Sequence, residues 1–568
     1  LEERICCTPD SRRSAIIVGD SMEIMALSTS GKFYWFNLIN ASYSNYYDIF
    51  LYRNILKNLN LNVDLNEINI KKTPFIINSK NNIQLASYID LENSNWLIKL
   101  DNSPYYMCSK DASKLLHYVT PNLKVIGFEQ LDPVYNRPDI VLDSIGRYFG
   151  GADQELVLNY RQTQEKRIYR LGLNKELLGK EIAVPSAEII DADRIKYENN
   201  KGKLKIKVAA NDSKYPLRKF NIYINEVPYY GSTGISIAQL KTQEWDTTLT
   251  IPLNVGRNKI QVSIMNELGL ENFKYSTYVN YTPKEEVKSK IYYIGIGVNQ
   301  FKFTGHDLKY CVKDVTDLAN WFAGPNTEIK LYSNTQVVKE NILDLKKYLK
   351  NTNVNDKVII SCSSHGLLDD NMNFYLAMHD IDFKNPKARG LSYEELESLL
   401  DSIPARQKLL LLDACNSGEN DKAELLKKDL QQNQSTMDST QIISLRGAIM
   451  QVKEANVNIF KKMNELFVNV RNNTGSVIIS AAGGQESALE GIKVDGKKIK
   501  NGAFTYSILE CLKHYKGKDL KVNTLKQYTE KRVEEITESK QKPTSRQETM
   551  EIDWILNDFM TSPKTRAN

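Results

Sequence analysis

The chain of 568 residues is poor in the side chains that bind metals and build disulfides, with five histidines and seven cysteines. No Cys-x-x-Cys or His-x-x-x-His pair occurs, so nothing has the usual spacing of a structural zinc site. Seven is an odd number, the spacings are irregular, and the vicinal pair Cys6-Cys7 is poorly placed for a normal disulfide. This usage argues against a disulfide-stapled secreted scaffold and predicts a reducing compartment, hence a cytoplasmic protein. No apolar run approaches the roughly 18 residues of a membrane span, so no membrane association is expected. No secretory leader opens the chain; because it begins at Leu1, an upstream segment is expected to be missing. An excess of one charge is lacking too. Lys and Arg number 75 against 69 Asp and Glu, a balance of +6. That is too mild over this length to predict a nucleic-acid partner.

What is present is ordinary globular material, 41% hydrophobic and 25% charged. The length predicts three or four domains, by the usual domain size of about 100–200 residues. Residues 1–150 read as short β segments, such as Ser14-Ala-Ile-Ile-Val18 and Gly31-Lys-Phe-Tyr-Trp-Phe36. Residues 151–182 read as a linker with helical character around Tyr160-Arg-Gln-Thr-Gln-Glu-Lys-Arg167. Residues 183–284 carry period-2 runs, Lys203-Leu-Lys-Ile-Lys-Val208 and Phe220-Asn-Ile-Tyr-Ile-Asn225. They predict a β-sandwich of the immunoglobulin or fibronectin kind with no catalytic residue. Residues 288–557 alternate as strand, helix, strand, strand, helix, strand, helix. That order predicts an α/β domain, a mostly parallel sheet sandwiched by helices. A polar insertion, Glu419 to Arg471, interrupts it.

Two segments of this last region carry the chemistry. Val358-Ile-Ile-Ser-Cys-Ser-Ser-His-Gly366 and Lys408-Leu-Leu-Leu-Leu-Asp-Ala-Cys-Asn-Ser-Gly418 are apolar runs ending in small and polar residues. Each reads as a buried parallel strand opening into a loop at its carboxyl end, where α/β sheets place their sites. His365 and Cys415 therefore come to the same sheet edge. A thiol becomes a strong nucleophile when a nearby imidazole takes its proton. The oxyanion formed on an attacked amide needs backbone N–H donors. Gly366 and Cys415 are the candidates, Gly366 because no Cβ blocks its approach. The plainer alternative is that Cys415 is a small buried hydrophobe, as lone cysteines usually are.

These segments resemble the caspase-like clan of cysteine peptidases, in particular its metacaspase-like bacterial members. The His-to-Cys separation, 365 to 415, is close to that of caspases. Further matches are Lys290-Ile-Tyr-Tyr-Ile-Gly-Ile-Gly297, Leu308-Lys-Tyr-Cys-Val-Lys-Asp314, Gly475-Ser-Val-Ile-Ile-Ser-Ala-Ala482 and Asn501-Gly-Ala-Phe-Thr-Tyr-Ser-Ile-Leu509. Ser364 departs from the glycine common before the histidine, with little consequence expected. The resemblance implies a cysteine endopeptidase acting on protein or peptide substrates. Metacaspases carry acidic residues matching Asp314 and Asp413, which hold the basic side chain before the scissile bond, and Ser363 matches a further pocket position. A partly buried carboxylate pair suits Arg or Lys. The alternative is that Asp413 caps backbone amides and Asp314 caps a helix.

Many metacaspases need calcium, and Asp369, Asp370, Asp380 and Asp382 offer oxygen ligands. No regular calcium loop is present, and solvated acidic turns are the simpler reading. No cofactor is required by the sequence. Around Asn95-Trp-Leu-Ile-Lys-Leu100 and Gly127-Phe-Glu-Gln-Leu-Asp-Pro-Val-Tyr-Asn-Arg-Pro-Asp139 the chain resembles the end of a WD40-type propeller and the turn that follows it. Residues 1–90 are too few for a complete one at about 40 residues per blade. They are a remnant, or the chain is cut from a longer one. The β-rich half is expected to bind protein partners. A scaffold or sensor that binds partners without turnover is the competing function, and the intact His-Cys pair argues against it.

Overall fold

The computed structural model describes residues 14–17, 23–27, 33–37, 75–78, most of 84–173, 182–414 apart from 304 and 370–372, 444–445, 474–481, 489–515, 519–546 and 552–556. Near the amino end an antiparallel meander of four strands runs through Phe75–Asn78, Gln84–Asp90, Trp96–Leu100 and Tyr106–Cys108. The stretch expected to be a turn forms two helices instead, Phe128–Tyr135 and Pro138–Gly146. Pro138 sits at the first turn, where its missing N–H costs nothing, and Arg137 clamps Asp139 at 2.8 and 2.7 Å. The charged stretch after it is a helix, Gln154–Leu171, that buries Leu156, Val157 and Tyr160 against Val141, Leu142 and Ile145. It completes the core of this first unit rather than merely linking two others.

Residues 186–281 form two sheets that enclose one apolar core between them, including Val208, Phe220, Ile222, Ile251 and Val262. Alternation drives this packing: in Lys203–Asn211, Ile206 and Val208 turn inward while Lys205 and Lys207 stay outside.

The α/β unit contains β1 Ile291–Gly297, α1 Cys311–Phe322, β2 Thr327–Ser333, α2 Lys339–Leu349, β3 Lys357–Ser363, β4 Gly366–Leu368, β5 Phe374–Leu376, α3 Tyr393–Leu400 and β6 Gln407–Asp413. After the insertion come β7 Val477–Ser480, β8 Leu489–Glu490, α4 Ala503–His514, α5 Val522–Ile536 and β9 Thr544–Arg546. The main sheet has the order β2-β1-β3-β6-β7-β9; the first five strands are parallel and β9 is antiparallel to β7. Helix α2 falls where two strands in succession were expected; its Ile342, Leu345 and Leu349 recur at helical spacing and are buried.

Both faces of the sheet are covered, so its strands are apolar throughout. Tyr292, Ile294, Val358, Ile360 and Leu410 face α2 and α3, while Tyr293, Ile359, Leu409, Leu411 and Val477 face α1, α4 and α5. Each such leucine or isoleucine contributes about 1.5–3 kcal/mol of burial. The β-sandwich meets the amino ends of these strands. Arg406 donates to Pro252 O at 2.8 Å and to Asn254 Oδ1, and Asn254 donates to Val354 O at 2.6 Å. The backbone N–H and hydroxyl of Ser232 bind Asp401 at 2.8 and 3.0 Å. Gly475 takes φ +69°, and a Cβ there would lie 2.8 Å from Val227 Cα, so glycine permits this approach. The carboxyl ends of the strands are left for the site.

Candidate active site

Register brings the site residues together. Gly297, Ser363 and Asp413 are direct partners on β1, β3 and β6, at the carboxyl ends of those strands. They share the face that carries α1 and α4. Bulk is withdrawn here: a Cβ at Gly297 would lie 2.8 Å from Cys311 O and 2.9 Å from Val312 Cα. Glycine thus lets the first turn of α1 rest on the sheet, and that turn carries Asp314.

Asp314 and Asp413 are 0% and 2% exposed. Ser363 Oγ donates to Asp314 Oδ2 at 3.1 Å. Asp314 Oδ1 accepts from Asn501 Nδ2 at 3.0 Å and from the Gly502 N–H at 3.1 Å. Asp413 Oδ2 accepts from the Thr505 hydroxyl at 2.6 Å and its N–H at 3.3 Å. Both carboxylates therefore end at the start of α4, where unpaired amides and the helix dipole favour negative charge. Sequence reasoning missed Asn501 and Thr505 as carboxylate partners; their spacing across the start of α4 is the signal that could have found them.

His365 is 3% exposed and follows β3. Its Nε2 lies 2.7 Å from the backbone carbonyl of His306. Its ring packs against Phe301 at 5.1 Å between centroids and edge-on against Phe383 at 5.9 Å. The loop that offers the His306 carbonyl is pinned at several points: Phe301 N–H to Asp307 Oδ1 at 2.9 Å, Lys302 N–H to His379 O at 2.8 Å, and Leu308 N–H to Asn299 O at 2.8 Å. Sequence reading missed this loop, which has no strand or motif pattern. Ser364, in place of glycine, donates its hydroxyl to Ala377 O at 2.8 Å and its N–H to Asp413 O at 3.4 Å. The first bond ties the His365 loop to the residue after β5 and the second ties it to the end of β6. Gly366 opens β4. Cys415 lies outside the described residues, two beyond Asp413, as does most of the insertion Glu419 to Arg471.

Cys362 is fully buried, and burial pushes its thiol up to about 12. Among the described residues Cys108, Cys311, Cys362 and Cys511 are all buried. The acidic turns are locally engaged. Asp369 accepts from Asn373 N–H at 2.8 Å and Tyr375 OH at 3.2 Å, Asp380 pairs with Arg389, and Asp382 accepts from Lys384 N–H at 2.9 Å. Asp370 lies outside the described residues. Among the described residues no group of three or more His, Cys, Asp or Glu could hold a metal ion, and no helix is long and apolar enough to cross a membrane.

A sequence profile described as the caspase domain of peptidase family C14 matches residues 294–553. Among solved structures, a crystal structure of a protein from Geobacter sulfurreducens is 17% identical, with a TM-score of 0.32, covering 45% of this chain and 92% of that one. A search of curated proteins finds no match. The profile stops short of residues 1–150 and gives no support to a propeller there.

Proposed function

We propose, from the caspase domain that residues 294–553 form, that this chain is a cysteine endopeptidase with His365 as base and Cys415 as nucleophile. The contact between His365 Nε2 and the His306 carbonyl at 2.7 Å carries the reading. A carbonyl oxygen only accepts, so Nε2 holds the ring proton and Nδ1 is the basic nitrogen. Cys415 comes two residues after Asp413, whose register partner Ser363 comes two before His365. Nδ1 then takes the thiol proton as sulfur bonds to the scissile carbonyl carbon. The oxyanion is held by the backbone N–H groups of Gly366 and Cys415. Collapse breaks the C–N bond, the imidazolium returns its proton to the leaving amine, and water hydrolyses the thioester.

We assign Asp314, Asp413 and Ser363 to the pocket for the residue before the scissile bond, with Arg or Lys as its occupant. Two buried carboxylates on one helix start support this, since a cation inserted there forms charge-assisted hydrogen bonds while an acidic side chain is repelled. The test is a fluorogenic panel with Arg, Lys or Asp before the reporter, with and without calcium, beside Cys415→Ala. Cleavage after Arg or Lys that Cys415→Ala abolishes is expected. Cleavage after Asp overturns the basic pocket, and no turnover of any peptide leaves a partner-binding scaffold.

A further inference from the structure

Glu490 is 0% exposed and lies between the Gly475–Ala482 and Asn501–Leu509 segments. Its carboxylate accepts the backbone N–H groups of Lys309, at 3.1 Å to Oε1, and Tyr310, at 3.3 Å to Oε2. These are the two residues before α1, the helix that carries Asp314. The backbone of Glu490 also forms an antiparallel bridge with Gly502, whose N–H binds Asp314 and which is the cap of α4. Its strand pairs with Ser444–Leu445 on the other side. Next to it, Leu489 N–H donates to Gln541 Oε1 at 2.9 Å, and Gln541 Nε2 donates to Ala481 O at 2.9 Å. The residue is thereby fixed to the end of β7.

We propose that Glu490 is a positioning residue for the specificity pocket. It clamps the start of α1 to the start of α4 and so sets the spacing of Asp314 from the helix end that also holds Asp413. The inference rests on the basic-pocket reading above. Its physical basis is a buried carboxylate directed at two amides: burial is costly unless such donors satisfy it, and each charge-assisted bond is stronger than a neutral one. Glutamine keeps the size and one accepting oxygen but loses the charge, and its NH2 group would face an N–H. Aspartate keeps the charge but is shorter by one methylene, so it reaches at most one of the two amides. Neither change touches substrate, so loss of binding through them would be transmitted by geometry.

The test compares Glu490→Gln and Glu490→Asp with wild type in the full chain, using peptides with Arg or Lys before the reporter and active-site titration to count competent molecules. A rise in KM for the Arg peptide of about tenfold is expected for Glu490→Gln, the loss of one charge-assisted bond, with kcat per titrated site within about twofold. Hydrogen exchange should quicken together in residues 309–314 and 501–505 while the β-sandwich is unchanged. A merely structural role would lower the titrated fraction or the melting point and leave KM alone, and that result overturns the proposal. Uncoupled exchange in the two segments overturns it as well, and this readout survives even in inactive variants. A wild type with no preference for Arg or Lys overturns the pocket reading and this inference with it. Preference in wild type with unchanged KM in both variants overturns the inference alone.

Discussion

Asp314 and Asp413 lie on different elements, yet one helix start serves both: the Gly502 N–H reaches Asp314 at 3.1 Å and the Thr505 hydroxyl reaches Asp413 at 2.6 Å. The same geometry fits two roles, a structural cap and a pocket charge, because an oxygen that accepts from an amide can keep a lone pair for a ligand. Substitution separates them. Asp413→Asn can still accept from Thr505 while losing its charge. It should lower kcat/KM for Arg peptides about ten- to a hundredfold, the roughly 1.5–3 kcal/mol of a hydrogen bond to a charged group. Its melting point should move little. A variant that loses stability but keeps its Arg preference would mark Asp413 as a cap alone.

Cys415→Ala and His365→Ala should each abolish peptide cleavage, and the double variant should be no worse than either, because members of one catalytic unit are not additive. Circular dichroism should match wild type in both. Residual turnover in purified Cys415→Ala protein would refute the nucleophile assignment.

Two buried cysteines of the α/β unit should behave as bystanders. Burial pushes the Cys362 thiol up to about 12 and the Cys511 thiol up to about 11. At pH 8 the first is then about one part in ten thousand thiolate. Iodoacetamide followed by peptide mass spectrometry should find both unmodified in the native protein and both alkylated after denaturation, with Cys415 the site labelled first. Early labelling of Cys362 would make it a rival nucleophile.

Arg406 joins the β-sandwich to the α/β unit through neutral acceptors, Pro252 O and Asn254 Oδ1. Burial pushes its guanidinium down to about 9, since desolvation disfavours the charged form. Arg406→Ala leaves those acceptors unmatched at a cost of about 1–3 kcal/mol. Calorimetry should then separate the melting of the two units or lower a shared midpoint. An unchanged thermogram would mean that these bonds do not couple them.

The insertion supplies Lys422, Lys427, Lys428, Arg446, Lys453, Lys461 and Lys462 to an enzyme read as cleaving after basic residues. Tethering presents them at high effective concentration. Intact-mass spectrometry of active protein should show cuts within Glu419 to Arg471 that Cys415→Ala lacks. Identical masses, apart from the substitution, would exclude autocleavage. Deleting 424–466 should raise basal activity if the insertion covers the cleft.

Much of the α/β unit was legible because its signals are local. Lys408-Leu-Leu-Leu-Leu412 has the length and continuous apolar pattern of a strand buried on both faces, and Ser-Ser-His365-Gly and Asp-Ala-Cys415-Asn are the polar ends of two such runs. Residues 128–146 were misread because Pro and Asp serve turns and helix starts equally well; the burial of Leu131, Val141, Leu142 and Ile145 decided for helices. Helix α2 is legible in the helical spacing of Ile342, Leu345 and Leu349.

The sequence by itself determined the residue types of the site and the sheet edge to which His365 and Asp413 are delivered, since strand alternation and parallel order follow from local hydrophobic patterning. It could not determine that the His306 carbonyl meets His365, that one helix start binds Asp314 and Asp413, or that Glu490 spans the beginnings of two helices. Each of those contacts joins segments far apart in the chain and includes a backbone amide or carbonyl, at Asp413 beside the Thr505 hydroxyl. Every residue carries such groups, so no residue type announces them, and only the packed tertiary structure selects which are used.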